Sequence, residues 1–271
     1  MNATAVRLVR AVNRNWTNSI RLAPPGWDAL TQELDLWQRR GRRARFWWRD
    51  DDAIDDTPAL ARLLELKESH GIPLAIAAVP AAASEGLARA LEGYRDVSVL
   101  QHGWSHRNHA ASGRPRAELA EGRDAGEVEA ELGRGLMKLL DLFGDRFLPV
   151  LVPPFNFLAR SLTNAVASAG FSMVSVEGDF AGLPLHCRNV HIDPIDWRQP
   201  CAKDPAALVR QAVGALRLRR FGLVPSAMPV GIVTHHLQHD GDVWRLTGAL
   251  IGKLKDHPAA SFAPALAVFA P

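Results

Sequence analysis

The chain has 271 residues, of which 47% are hydrophobic, and its formal net charge is +3. This length fits one large domain or two small ones, and the apolar content is sufficient for a sizeable core. No stretch approaches the roughly 18 uninterrupted apolar residues of a membrane span. The arginines of the first 21 residues are not followed by the apolar segment of a secretory signal, so we expect a cytoplasmic protein.

Cysteine and arginine usage excludes two further classes. The two cysteines, Cys187 and Cys201, are too few for a disulfide framework and are not spaced as a redox pair. Arginines are concentrated in two runs, at residues 39–45 and 217–220. Such runs are usually solvated helix ends, and no signature of a nucleic-acid-binding module accompanies them. We therefore expect neither nucleic acid nor a membrane as a partner.

Short apolar runs alternate with amphipathic stretches along the chain. The first amphipathic stretch, Trp27–Trp37, predicts a helix ahead of the first strand. Apolar runs bounded by glycine, proline or charged residues, and without alternation, are typical of strands buried on both faces. Seven such runs predict strands, at Phe46–Trp48, Leu74–Val79, Val97–Leu100, Leu148–Val152, Phe171–Val176, Val190–Ile192 and Val230–Val233.

Helices are predicted between most of these strands. Thr57 followed by Pro58 is a favourable helix start, and Gly71 is a favourable end. Ser84 begins a second helix. Longer helices are predicted at Glu127–Phe143, Ala159–Ala169, Pro205–Arg220 and Asp242–Asp256. In the helix that ends at Phe143, we expect one buried face, formed by Leu132, Leu136, Leu139, Leu140 and Phe143.

Strands that alternate with helices predict a parallel α/β architecture with right-handed crossovers. Seven strands fit either an open sheet or a closed barrel, and the positions of the polar residues favour the barrel. In α/β barrels the chemistry lies at the carboxyl ends of the strands, where scattered groups converge around one axis. The polar groups that follow predicted strands are Asp50–Asp52, His102 and His106, Pro153–Asn156, Asp193 with Asp196 and Trp197, and His235 with His236.

These polar groups predict a metal site. Adjacent carboxylates at a strand end repel one another and favour a cation, although an acidic turn that caps a helix has the same composition. His102 and His106 are four residues apart, so one helical turn would direct both imidazoles to the same side. A carboxylate with two imidazoles is a common ligand set for zinc, and also for iron, nickel or cobalt.

Such a site supports hydrolysis of an amide or an ester. Three protein ligands leave a position open for a water molecule, whose pKa the metal lowers. A second carboxylate could accept the proton of that water, and an imidazole on the opposite side could protonate a leaving amine.

The same residues resemble the polysaccharide deacetylase family, also called the nodulation-deacetylase homology domain or carbohydrate esterase family four. Five short motifs carry the resemblance, in the order of the family. They are Arg49–Asp52, His102–His106, Val152–Phe155, Asp193–Trp197 and Val233–His235. The second and fourth motifs are the specific ones. The third lacks the arginine that pairs with the catalytic base in the family, since Val152 stands there; Arg49 is the candidate replacement.

The resemblance implies a distorted seven-stranded parallel (β/α) barrel that forms a single domain over residues 1–271, with residues 1–44 as an N-terminal helical extension. It implies one divalent metal ion, with zinc expected first and cobalt, nickel or iron as alternatives. The implied metal ligands are Asp52, His102 and His106. The implied catalytic groups are Asp51 as base, His235 as general acid, the Phe155 backbone N–H at the oxyanion, and Asp193. The candidates for substrate binding are Trp104, Pro154, Asn156 and Trp197.

Two questions stay open at this point. The aspartates can be shifted by one position, with Asp50 as the base and Asp51 as the ligand. The expected activity is removal of an acetyl or other acyl group from an N-acetylated carbohydrate. The alternatives are a cytoplasmic amidase that acts on a small non-carbohydrate amide and a catalytically silent barrel that binds glycans.

Overall fold

A computed structural model describes residues 26–179 and 182–270 of the chain. The expected N-terminal extension, residues 1–44, therefore lies largely outside the described residues. Its last part contains the predicted helix, α1, which spans Trp27–Gln38.

Strands and helices alternate through the rest of the chain, as the apolar runs predict. The strands are β1 (Ala44–Ala53), β2 (Leu74–Ala78), β3 (Val97–His102), β4 (Phe147–Val152), β5 (Met173–Val174), β6 (His186–Cys187), β7 (Val190–Ile192), β8 (Ile195–Asp196), β9 (Cys201–Ala202), β10 (Val230–Thr234) and β11 (Ala260–Phe262). The helices that follow α1 are α2 (Pro58–His70), α3 (Glu85–Glu92), α4 (Ala125–Phe143), α5 (Thr163–Ser168), α6 (Pro205–Arg220), α7 (Gly241–Lys255) and α8 (Ala265–Val268). Helix α2 has the predicted Thr57 N-cap, whose hydroxyl accepts from the Leu60 N–H.

Nine of the strands form one curled parallel sheet in the order β6-β5-β4-β3-β2-β1-β10-β7, and β11 adds to β1. Strands β8 and β9 form a separate antiparallel pair. A bridge between Glu177, beyond β5, and Val190 of β7 joins the segment after β5 to the strand at the other end of this path. The main path has eight strands rather than the predicted seven. The additional strand is β6, which lacks an apolar run and is separated from β7 by Arg188 and Asn189. The Asn189 side chain bonds the backbone of residues 176 and 178 and interrupts the ladder there.

Side chains alternate between the interior of the curled sheet and the helical layer outside it. In β1, Trp47 belongs to the interior cluster, whereas Phe46 and Trp48 pack outward against the helices. The C-terminal segment closes one end of the interior, where the Phe269 ring meets the Trp47 ring edge-on at 5.3 Å. The carboxyl ends of the strands lie at the opposite end, so the polar residues that follow them share one rim.

Helix α4 buries three of the five residues expected on its packed face. Its buried residues are Val128, Leu132, Gly135, Leu139 and Phe143, whereas Leu140 is exposed and Leu136 is only partly buried. Gly135 lies so close to the sheet that a Cβ there would be 2.4 Å from Gln101. Across the described ranges, no helix combines the length and the apolar character that crossing a membrane would require.

The arginine run at the end of α6 is not a solvated helix end, contrary to our interpretation of the sequence. Arg219 is buried and forms an ion pair with Asp179 at 2.7 Å. Arg220 pairs at 2.5 Å with the buried Glu33 of α1, and Arg217 contacts the same carboxylate at 3.2 Å. The arginines therefore tie α6 to α1 and to the segment after β5, because isolated buried carboxylates need charged partners.

Candidate metal centre

The end of β1 contains an irregularity that directs two consecutive aspartates to the same side. In a regular strand, successive side chains point to opposite faces. The pairing of β1 with β2 shifts between Asp50 and Ala53, and Asp52 has a φ of 71°. Because this bulge turns the chain, Asp52 joins Asp51 on the interior side.

Asp50 points the other way, into the outer layer. Its Oδ1 contacts Nδ1 of His236 at 2.5 Å, and its Oδ2 accepts from the Thr234 hydroxyl at 2.6 Å. Burial alone would raise the pKa of Asp50, but His236 and Thr234 outweigh this effect and lower it. Asp50 in turn raises the pKa of His236, although burial of the imidazole acts to lower it. Asp50 is therefore a buried carboxylate that pairs with His236, and it is not a member of the group formed by Asp52, His102 and His106.

Asp52, His102 and His106 converge. The Asp52 Oδ1 atom lies 3.0 Å from Nε2 of His102 and 3.1 Å from Nε2 of His106. Among the described residues, this is the one group of three or more histidine, cysteine or acidic side chains whose ligand atoms are close enough to hold a metal ion. Nδ1 of His102 lies 2.9 Å from the Val152 carbonyl oxygen, so a hydrogen on Nδ1 leaves Nε2 free to bind a metal.

The chemistry of these three side chains fits a divalent metal. The buried Oδ1 of Asp52 has no hydrogen-bond donor with suitable geometry in the described part of the chain. Although burial would raise the pKa of Asp52, the two imidazoles lower it far below its usual value. Burial opposes protonation of His102, but Asp52 raises its pKa. A carboxylate and two imidazoles directed at one point are a typical ligand set for zinc and related ions.

The spacing of the two histidines predicted that one turn of helix would bring them together, but no helix is present between them. His102 ends β3, and residues 103–106 form an irregular turn. Gly103 and His106 both have a φ of 58°, in the left-handed region. The turn reverses the chain within four residues, so the two rings approach with their centroids 5.1 Å apart.

Arg49 and Asp51 form a buried pair beside the three-residue cluster. Arg49 donates from Nε to Oδ1 of Asp51 at 2.8 Å and from Nη2 to Oδ2 at 2.9 Å. Its remaining hydrogens reach the Asn156 Oδ1 and the hydroxyl and carbonyl oxygens of Ser175. The position of the missing third-motif arginine, Val152, is filled with apolar contacts in the interior cluster. The guanidinium thus comes from β1 and fixes the orientation of the Asp51 carboxylate.

His235 faces the interior and His236 the outer layer, in line with strand alternation. Nε2 of His235 lies 3.8 Å from Oδ2 of Asp51. The Trp197 ring meets the His235 ring edge-on at 4.7 Å, and its indole N–H donates to Oδ2 of Asp193 at 2.7 Å. Asp193 therefore contacts Trp197 rather than His235. Trp197 is 48% exposed, which leaves one of its faces available at the rim.

The third motif forms a tight turn at the same rim. Phe155 and Asn156 have φ values of 60° and 53°, although neither is glycine. The Phe155 ring lies 4.5 Å from the His106 ring. Pro154 is buried against Gly103, whereas Asn156 is half-buried and its Oδ1 accepts from Arg49. Trp104, also proposed for substrate binding, lies beneath the Arg134 guanidinium at 5.2 Å.

Two residues in this region were missed by the sequence analysis. Ser175 accepts from Arg49, and Glu118 accepts from three backbone N–H groups of the turn at residues 103–106. Ser175 lies just inside the end of a predicted strand, which is a weak signal. Glu118 lies outside every motif, and no local pattern singles it out.

Comparison with known proteins gives structural but no sequence matches. No family model and no curated protein matches the chain. A family 4 acetyl xylan esterase from Clostridium thermocellum, solved with a cobalt ion, aligns with a TM-score of 0.53 at 13% identity over 83% of this chain and 90% of that one. A peptidoglycan N-acetylglucosamine deacetylase aligns with a TM-score of 0.52 at 14% identity over 84% of this chain and 88% of that one.

A pseudoenzyme of the same family, from Bacillus anthracis, aligns equally well, with a TM-score of 0.52 at 14% identity over 81% of this chain and 63% of that one. The fold therefore includes members that are described as enzymes and a member that is described as inactive. Identities in this range support the architecture alone. We conclude that the chain has the fold of the carbohydrate esterase family four polysaccharide deacetylases, because it has a curled parallel sheet with this strand order and aligns with these structures.

Proposed function

We propose that the protein is a metal-dependent hydrolase that removes an acetyl group from an N-acetylated carbohydrate. One observation carries this proposal: the Asp51–His235 pair lies on the same rim as the three converging side chains Asp52, His102 and His106. A base, an acid and a metal site together supply the groups that metal-assisted hydrolysis of an unactivated amide uses. The neighbour described as an acetyl xylan esterase supports an acetylated carbohydrate as the substrate class, and the one described as a peptidoglycan N-acetylglucosamine deacetylase supports an N-acetyl group in particular.

Asp52, His102 and His106 would hold one divalent ion, zinc first, with cobalt, nickel or iron as alternatives. When bound, the ion supplies a Lewis acid that polarises the scissile carbonyl and lowers the pKa of water. The buried contact of His102 with the Val152 carbonyl orients the imidazole for this role.

The reaction breaks the C–N bond of the amide and forms a C–O bond from water, which releases acetate and a free amine. In our proposal Asp51 accepts a proton from the attacking water, since Arg49 holds its carboxylate in place. The Phe155 N–H donates a hydrogen bond to the oxygen that gains negative charge. His235 gives its proton to the leaving nitrogen, because an amine leaves readily only when it is protonated.

Trp197 and Asp193 would act at the same rim in different ways. The exposed face of Trp197 offers an apolar surface on which a sugar ring can pack, and its edge limits the movement of His235. Asp193 accepts the indole N–H and so fixes this orientation. Asp193 is thus a positioning residue in this proposal rather than a group that touches the substrate.

The test is a substrate panel with a defined metal state. Protein stripped with a chelator is reloaded with zinc, cobalt, nickel or iron, and acetate release is measured from acetylated chito-oligosaccharides and xylo-oligosaccharides. We expect release that depends on the metal, and the His235→Ala variant with full metal content serves as the matched inactive control. Hydrolysis of small cyclic amides in place of acetylated sugars would favour the amidase alternative. Binding of glycans without any hydrolysis would favour the silent barrel.

A further inference from the structure

Glu118 is a buried carboxylate beneath the turn that carries His106. It is fully buried and belongs to the segment of the chain that connects β3 to α4. Its Oε1 accepts from the backbone N–H groups of Trp104 at 2.7 Å and Ser105 at 3.1 Å, and its Oε2 accepts from the His106 N–H at 2.7 Å. A buried carboxylate without donors would be strongly unfavourable, so these three charge-assisted bonds account for its presence there.

The turn needs such a partner because its backbone is strained. His106 has a φ of 58°, in the left-handed region that is costly for residues other than glycine. Conformations of this kind cost on the order of 1–3 kcal/mol and persist only where the surroundings hold them. The carboxylate of Glu118 is the acceptor for the three consecutive N–H groups that lead into His106.

Packing around the carboxylate leaves little freedom. A Cβ at Gly103 would lie 2.6 Å from Oε2 of Glu118 and 2.7 Å from Pro154, so glycine is required where the turn begins. The next residue, Leu119, forms an isolated parallel β-bridge with Leu158. Its carbonyl oxygen accepts a hydrogen bond from the Ala159 N–H at 2.9 Å. Two sets of contacts therefore hold Glu118 in place: the backbone contacts of Leu119 in its own segment, and the hydrogen bonds of its carboxylate with the turn.

We propose that Glu118 is a positioning residue for the metal centre. It fixes the backbone of residues 104–106, and thereby holds Nε2 of His106 3.1 Å from Oδ1 of Asp52. This inference rests on the metal site of the proposed function and adds a residue twelve positions beyond His106 to it. Its effect is on metal affinity, because it sets the geometry of one ligand without touching the metal or the substrate.

The test compares Glu118→Gln with Glu121→Gln as the matched control. Glutamine keeps the size of the side chain, but its amide places a donor against at least one backbone N–H. Glu121 lies three residues further along the same segment, where it is exposed and accepts a hydrogen bond from the Ser161 hydroxyl. Affinity for Zn²⁺ and Co²⁺ is measured by competition with a chelator, well below the unfolding temperature of each variant.

We expect affinity in Glu118→Gln to fall about tenfold to 100-fold, the usual cost of losing a partner that orients a ligand, and to stay within twofold in Glu121→Gln. Equal affinities in the wild type and Glu118→Gln would overturn the inference. Hydrogen exchange on the metal-free wild type tests it without a variant: the amides of residues 104–106 should be protected, and exchange at the rate of an unstructured chain would contradict it.

These measurements separate this inference from the proposed function. A protein that binds metal more weakly in Glu118→Gln yet hydrolyses no acetylated sugar would retain the positioning role and lose the deacetylase assignment. If the protein hydrolyses acetylated sugars but Glu118→Gln leaves metal affinity unchanged, the deacetylase assignment would stand and the positioning role of Glu118 would be lost.

Discussion

Arg49 and Asp51 lie two residues apart on β1 and form a two-point hydrogen bond inside the curled sheet. Residues at this spacing share one face of a strand, so the guanidinium reaches the carboxylate without a long-range contact. In the family that the sequence resembles, an arginine of the third motif has this role. Here Val152 stands at that position, and the charge comes from the first motif instead.

The first prediction concerns this buried pair. Arg49→Gln leaves Asp51 buried without its partner, so we expect the free energy of unfolding to fall by about 3–5 kcal/mol. A double-mutant cycle with Asp51→Asn, measured by chemical denaturation, should show that the two losses are not additive. Asp51→Asn alone should reduce turnover by about 10²–10⁴-fold. Additive losses in the cycle would mean that the two side chains act independently.

The second prediction distinguishes the neighbouring aspartates. Asp52→Asn and His102→Ala should lose the bound metal, because each removes a converging ligand atom. Asp50→Asn, the matched control, should keep about one metal ion per chain, since Asp50 faces His236 in the outer layer. Elemental analysis of the purified variants measures both. Full metal content in Asp52→Asn together with loss in Asp51→Asn would restore the shifted assignment of the aspartates, in which Asp51 is the ligand.

The third prediction separates His235 from His236. His235→Ala should lower turnover by about 10²–10⁴-fold with unchanged metal content, as expected for loss of a proton-transfer group. His236→Ala should instead lower stability by about 3–5 kcal/mol, because Asp50 loses its buried partner. Turnover of the folded His236→Ala variant should stay within about tenfold of the wild type. The opposite pattern would move the general acid to His236.

The fourth prediction follows from His239. Burial lowers its pKa from 6.5 to about 4 in the folded protein. Protonation therefore favours the unfolded chain: this contribution to stability is complete above pH 6.5 and is lost as the pH falls towards 4. The loss is at most about 3 kcal/mol, and less where water reaches the ring.

Comparison with His239→Gln isolates this contribution. Unfolding free energies of both proteins are measured from pH 7 to pH 4.5 with a chelator present, so that metal release does not contribute. The difference between the two proteins should shrink as the pH falls. A difference that stays constant over this range would show that the imidazole does not titrate with a lowered pKa.

The sequence was sufficient for those parts of the fold that local patterns determine. Unalternating apolar runs are distinctive, so the main parallel strands are found near their predicted positions. Period-two alternation also separates His235 from His236, since His235 follows the parity of the interior Val233. The roles of these residues in catalysis stay predictions.

Other features depend on contacts that local patterns do not contain. A bulge at Asp52 brings consecutive aspartates to one side of the strand, and a run of three aspartates does not by itself predict a bulge. The spacing of His102 and His106 is compatible with a helix, but the Glu118 contacts stabilise a left-handed turn. The arginine run predicts a solvated Arg219, because local sequence does not reveal its partner, Asp179, which lies forty residues earlier in the chain.

The position of β1 between β2 and β10 also has a consequence for the order of assembly during folding. The hydroxyl of Thr234 and the carboxylate of Asp50 meet across 184 residues, whereas β1 and β2 are near neighbours in sequence. Pairings over long sequence separations form late, because closing a long loop is entropically costly. A chain folded only as far as β5 would carry the converging Asp52, His102 and His106 but would lack His235. The ability to bind metal should therefore precede the ability to transfer protons as the nascent protein folds.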